Sequence, residues 1–190
     1  MIDIEKTAIK DVIVVTPAKF GDSRGFFSEV WNQKNLTAAG ICDEFVQDNH
    51  AFSAEKGTLR GLHYQTAPHA QGKLVRVIRG AVLDVAVDIR RGSPTFGQHV
   101  AVELSADNWR QLWVPKGFAH GYVTLTENVE FLYKVSGQYS PENEAGIIWN
   151  DPDLDIQWGV PEDQVHLSGK DKLLPRLKDQ EQLFEYGEKA

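Results

Sequence analysis

At 190 residues the chain can bury one sizeable core, and 42% hydrophobic with 25% charged residues is the composition of a packed domain rather than a disordered chain. Lys and Arg total 20 against 27 Asp and Glu, a formal net charge of -7, which excludes a general nucleic-acid binder because counterion release needs a basic surface. The single cysteine, Cys42, excludes an internal disulfide and a thiolate zinc site. Any anionic ligand must therefore meet a local cluster of cations.

Met1 to Lys10 alternate charged and apolar groups without the apolar stretch of a signal peptide. No later run approaches the roughly 20 apolar residues that cross a bilayer. A soluble cytoplasmic protein without a membrane partner is expected. Ile9 to Phe20 is rich in β-branched residues and reads as a strand, with Pro17 near its far end. Gly25 to Trp31 is a second strand candidate, and Asn32 is placed to cap a short helix that stops at Gly40. Strand-like segments follow at 45–52, 58–65, 73–90, 99–104, 110–115, 118–125 and 129–136, punctuated by Gly80, Gly92, Gly97 and Gly117. Val85, Val87 and Ile89 interleave with Asp84, Ala86, Asp88 and Arg90. Val129, Phe131, Tyr133 and Val135 share one face, opposite Glu130, Lys134 and Ser136. Period-two alternation with such frequent turns predicts an all-β antiparallel sandwich or barrel over residues 1–190 as one domain. A partly helical C-terminal tail completes it, charged from Lys178 onward and expected to be mobile. The acidic excess is expected largely on outward strand positions and in that tail.

Several polar residues stand where a β core should be apolar. Tyr133 lies on the apolar face of its strand, and His63 shares a parity with Leu59 and Gly61. Each alone reads as a core group with one satisfied hydrogen bond. Together with Arg60, Lys73 and His120, all on or beside strands of one sheet system, they read as a site. Arg60 and His63 differ by an odd number, so a regular strand sends them to opposite faces. Either Gly61 hosts a bulge that re-aims one of them, or Arg60 curls over the sheet edge. A cupin-like metal centre needs a His-x-His pair, but Gln65 stands at the second histidine and no Glu follows at the required spacing. Pro115, Gly117 and His120 retain the second motif, and two imidazoles beside Lys73 are too few for zinc or iron. Without a metal, the set suits proton abstraction beside a carbonyl. An ordinary imidazole titrates near working pH and can take the proton. Lys73 can hold the enolate oxygen, and Tyr133 can return a proton from the opposite face, which inverts a stereocentre.

The motifs GDSRGFFSEVWN (21–32), FVQDNH (45–50), LRGLHYQ (59–65), QGKLVRVIRG (71–80), VLDVAVDIR (82–90), SPTFGQ (93–98), RQLWVPKGFAHGYVTL (110–125) and EFLYK (130–134) closely resemble those of dTDP-4-dehydrorhamnose 3,5-epimerases. The resemblance runs from Arg24 to Asp171. It implies a double-stranded β-helix, the cupin-like jelly roll, in a homodimer that needs no cofactor and no metal. It implies epimerisation at C3 and C5 of a dTDP-4-keto-6-deoxy sugar, one step toward dTDP-L-rhamnose for bacterial surface glycans. By resemblance His63 is the base, Asp171 its partner carboxylate, Tyr133 the acid, and Lys73 faces the ketone oxygen. His120 lines the sugar pocket. Arg24, Glu29, Gln47, Asn49, Arg60, Glu144 and Lys170 correspond to nucleotide-sugar contacts. Phe27 and Tyr139 correspond to aromatics around the base, with Phe27 reaching the neighbouring subunit. Read without the family, Ser168-Gly-Lys-Asp171 is an imperfect capping box and Asp171 a helix cap.

Overall fold

The computed structural model describes residues 2–187; Met1 and residues 188–190, which the expected domain includes, lie outside them. The chain opens with β1 (Ile2–Lys6), β2 (Ile13–Pro17), and a short hairpin of β3 (Phe20–Asp22) and β4 (Gly25–Phe27). Helix α1 (Gln33–Ala38) follows, capped as expected by Asn32, whose Oδ1 accepts from the Asn35 N–H at 3.2 Å. The strands of the body are β5 (Gln47–Ser53), β6 (Leu59–Gln65), β7 (Lys73–Arg79), β8 (Ala81–Asp88), β9 (Arg90–Arg91), β10 (His99–Ser105), β11 (Gln111–Val114), β12 (Phe118–Thr124), β13 (Val129–Val135) and β14 (Glu144–Gly146). The short β15 (Phe184–Glu185) closes the described chain.

Two antiparallel sheets face each other. One runs β1-β2-β11-β7-β13-β5, the other β10-β8-β12-β6-β14. Between them lie Val14, Val75, Val77, Val82, Ala86, Leu104, Leu112, Phe118 and Phe131, all buried. The outer face of the five-stranded sheet is covered in turn by the chain after β14, which sets Ile147, Trp149, Leu154, Trp158, Leu177 and Phe184 against Leu62, Val85, Val87 and Val123. A third cluster packs Leu36 of α1 and Ile41 on Ile13, Val15, Leu74 and Trp113. This is the all-β antiparallel sandwich that the alternation predicted, and it fits the cupin-like fold that the resemblance implied.

Several boundaries differ from the expectation. The segment 73–90 is not one strand: Gly80, at φ 77°, turns the chain so that β7 and β8 enter different sheets. Only Gly25–Phe27 of the second strand candidate is extended and paired, against Phe20–Asp22. The outward placement of acidic strand residues fails at β8, because that strand is covered on both faces; Asp84 and Asp88 are fully buried. Asp88 accepts from Arg90, Ser93 and Thr95, so its burial is compensated. The C-terminal tail consists of single 3-10 turns, at Glu162–Gln164, Asp171–Leu173 and Leu177–Asp179. Its described end is not a loose charged segment: β15 pairs in parallel with β9, and Phe184 is buried. Among the described residues no helix is long and apolar enough to cross a membrane.

Candidate active site

A cavity of about 500 Å³ opens at one end of the sandwich, lined by Arg60, His63, Lys73, His120, Tyr122, Phe131, Tyr133, Glu144, Lys170 and Asp171 among others. The two sheets supply opposite walls. Arg60 and His63 come from β6 and His120 from β12, in the five-stranded sheet; Lys73 comes from β7 and Tyr133 from β13, in the facing sheet.

The parity problem of Arg60 and His63 is solved at Gly61. His120 pairs with His63 and Tyr122 with Arg60, so Gly61 and Leu62 together oppose the single residue Gly121. That is a bulge, and it turns both side chains toward the cavity. Glycine is required on both strands. A Cβ on Gly61 would lie 2.5 Å from the Gly121 Cα, and one on Gly121 would lie 2.8 Å from the Arg60 carbonyl oxygen.

His63 Nε2 lies 2.6 Å from Asp171 Oδ1 across 108 positions of sequence. Asp171 does open a turn, and its N–H donates to Ser168 Oγ at 3.1 Å. Asp171 is buried at 4% exposure, however, and its carboxylate points to the histidine; no side chain caps the turn, whose N-cap is Lys170, so the carboxylate partners His63 instead of capping a helix. Burial alone would raise its pKa; the hydrogen bond and charge of His63, with Ser168 and the Gly61 N–H, outweigh that and hold it below the ordinary carboxylate value.

Lys73 projects from β7 with Nζ 3.4 Å from the His63 carbonyl oxygen. Burial outweighs the opposing charges of Asp84 and Glu144 and brings its ammonium down to about 8. Burial also raises the Tyr133 phenol, opposed by Arg60, which keeps it a proton donor at neutral pH. His120 is buried and bonded through Nε2 to Asp84 at 2.9 and 3.0 Å. Asp84 is the residue that the sequence reading missed. Burial raises its pKa; His120 and Lys73 work against that rise. Its signal was the neighbouring histidine, which is visible only once β8 and β12 are set in register.

At the mouth, Glu144 accepts from Tyr139 Oη at 2.8 Å and pairs with Lys170. Burial raises the Glu144 pKa, but Lys170 and Tyr139 outweigh it and the net shift is downward. Gln47, Asn49 and Tyr139 line an adjoining cavity of about 310 Å³ that shares His63, Lys73, Tyr133 and Glu144 with the first. Gln47 Nε2 donates to Asn49 Oδ1 at 2.8 Å, which aligns two amides on one strand face. Gln65, at the position of a metal-binding histidine in cupins, accepts from the Ser140 N–H at 2.8 Å and so pins the loop that carries Tyr139.

Three expected contacts lie elsewhere. Arg24, Phe27 and Glu29 line neither cavity. Arg24 is clasped by Asp22 at 2.6 Å in the turn of the β3–β4 hairpin. Glu29 accepts from Asn35 Nδ2 at 3.1 Å. Phe27 is 70% exposed, so it is no core residue of this chain.

A family model described as dTDP-4-dehydrorhamnose 3,5-epimerase matches residues 6–179. The chain is 55% identical over 179 residues to the dTDP-4-dehydrorhamnose 3,5-epimerase of Salmonella typhimurium, covering 93% of this chain and 96% of that one. A crystal structure of dTDP-6-deoxy-D-glucose-3,5-epimerase from Legionella pneumophila, in complex with dTDP-4-keto-L-rhamnose, matches with a TM-score of 0.94 at 49% identity. That match covers 99% of this chain and 100% of the other. A 3'-monoepimerase from Streptomyces bikiniensis, in complex with dTDP-quinovose, matches at 0.87 and 32% identity, covering 96% and 93% of the two chains. The chain belongs to the dTDP-4-dehydrorhamnose 3,5-epimerase family.

Proposed function

We propose that this protein is a dTDP-4-dehydrorhamnose 3,5-epimerase, converting dTDP-4-dehydro-6-deoxy-D-glucose to dTDP-4-dehydro-L-rhamnose. The observation that carries the reading is the placement of the His63–Asp171 pair and Tyr133 on facing sheets of one cavity, with Lys73 beside them. C3 and C5 both flank the C4 ketone, so one enolate-holding group serves both inversions. His63 Nε2 is taken by Asp171, which leaves Nδ1 to accept the carbon-bound proton. The electron pair of the broken C–H bond moves into the enolate, whose oxygen the Lys73 ammonium holds. Tyr133 then returns a proton from the other wall, opposite in configuration; its phenolate is re-protonated from solvent and the His63 imidazolium gives its proton up to solvent, which restores both groups. No step calls for a cofactor.

Arg60 and Lys170 supply positive charge for the diphosphate, and Gln47 and Asn49 supply amides for the base. Arg24, Phe27 and Glu29 reach the site of a second copy in a homodimer. The hairpin that supports this carries Phe20, Phe26 and Phe27 exposed at 59%, 57% and 70%. A sugar nucleotide as substrate places the enzyme in the cytoplasm.

Purified protein in deuterated solvent is expected to introduce deuterium at both C3 and C5 of the 4-keto sugar nucleotide, read by NMR. No uptake at either carbon overturns the proposal. A single-carbon epimerase is the second reading, favoured by the likeness to a monoepimerase on the same fold; uptake and inversion at one carbon alone would establish it.

A further inference from the structure

Tyr122 is the one residue with a buried side-chain polar atom that has no hydrogen-bond partner among the described residues. It stands on β12 two positions beyond His120, on the same face of the strand, and lines the same cavity. Its ring is stacked on Phe131, with centroids 4.1 Å apart and planes 18° apart, so the phenol is held in one direction. The whole residue is 4% exposed. Its ring belongs to the buried core cluster that includes Phe131, while its oxygen lies within reach of Arg60, Ser53, Tyr133 and Asp84. The nearby Ser53 hydroxyl is outside hydrogen-bonding geometry and accepts instead from Arg60 Nε at 3.4 Å.

An unpaired buried hydroxyl costs stability, and a phenylalanine of nearly the same shape would avoid that cost. Beside a ligand cavity, such a hydroxyl can find its partner in an oxygen that comes with the ligand. We propose that the Tyr122 hydroxyl is a further substrate-binding group, donating its hydrogen bond to an oxygen of the bound sugar nucleotide. The acceptor is either an oxygen of the 6-deoxy sugar or a phosphate oxygen beside Arg60; both are oxygens rich in lone pairs. Burial pushes this phenol up to about 12, so it donates throughout the working pH range. The inference rests on the proposed epimerase reading.

The test compares Tyr122→Phe with the unaltered protein in thermal melting of the free protein and in calorimetric binding of dTDP and of dTDP-quinovose, which lacks the reactive ketone. The melting temperature is expected to be unchanged or higher, while affinity falls roughly 3- to 10-fold, the worth of one neutral hydrogen bond. A loss confined to dTDP-quinovose assigns a sugar oxygen, and an equal loss on both ligands assigns a phosphate oxygen. Unchanged affinity for both ligands overturns the proposal. So does a lowered melting temperature, which would make the hydroxyl a structural partner of Ser53. Deuterium uptake by the unaltered protein keeps the two readings apart. If uptake occurs and Tyr122→Phe binds normally, only the role of Tyr122 falls; if the unaltered protein shows neither uptake nor binding, both fall.

Discussion

Lys73 is the group whose charge the site governs most closely. An exposed lysine stays protonated past pH 10, whereas burial brings this one down to about 8, with Asp84 the larger of the two charges that resist the fall. The sign of the consequence follows directly. As pH rises through about 8 the ammonium is lost, and with it the charge that holds the enolate, so turnover should decline on an alkaline limb centred there. Asp84→Asn removes a negative charge that favours the cation, so the limb should move to lower pH. A pH–rate profile measures both, and a limb that stays in place would take Asp84 out of this role. Tyr133→Phe acts on a different step. It removes the proton donor while leaving the cavity its shape, so kcat should fall on the order of 10²- to 10⁴-fold. Binding of dTDP, followed by calorimetry, should hardly change. Full turnover by Tyr133→Phe would assign the proton return to another group. His63 and Tyr133 stood out in the sequence as polar residues on apolar strand faces, and Lys73 by its company with them on or beside strands. Asp84 was not, because one face of β8 looked solvent-facing until the second sheet was seen to cover it.

The strands themselves were legible wherever one face differs from the other, as along Val129–Val135, whose observed bounds nearly match the expected 129–136. Strands buried on both faces carry no such contrast, and β12 is buried at all seven positions. There the expected strand 118–125 rested on its place after the turn signal of Gly117 rather than on alternation. The sheet partners were beyond sequence reading altogether, since register depends on contacts between segments far apart in the chain. The bulge at Gly61 lay between these cases: the odd spacing of Arg60 and His63 pointed to it, but only pairing with β12 located it. Its mechanical role yields a prediction for the pair of strands. Gly61 has φ 140° and faces Gly121 so closely that an added methyl meets backbone on the other strand, which cannot swing aside as a side chain would. Gly61→Ala should therefore destabilise the fold by at least about 1–3 kcal/mol, read from the denaturant midpoint. It should also lower kcat, because parting β6 from β12 moves His63 away from Asp171. A variant as stable and as active as the parent would show that the close approach is dispensable.

Taken as one body, the chain carries a net charge of -7 and yet gathers Arg60, Lys73 and Lys170 at a single opening, which is how an acidic protein can receive a diphosphate. Arg24 is missing from that group within one copy. It sits with Phe27 on a hairpin that turns away from its own cavity, and Glu29 follows just after it. An exposed hairpin bearing three phenylalanines and an arginine is suited to insertion into a second, identical molecule, where a two-fold axis would make the exchange mutual. Activity in mixed dimers tests this. His63→Ala and Phe27→Ala should each be strongly impaired as homodimers. If Phe27 works in the neighbouring site, a mixed dimer has one site with both defects and one with neither. Random re-association of equal amounts makes half of the dimers mixed, with one sound site in two, so activity should recover to roughly a quarter of the parental value. If Phe27 serves its own subunit, every site in the mixture keeps one defect and nothing is recovered. Denaturing, mixing and refolding the two variants, with a light-scattering mass to verify dimers, distinguishes the two arrangements.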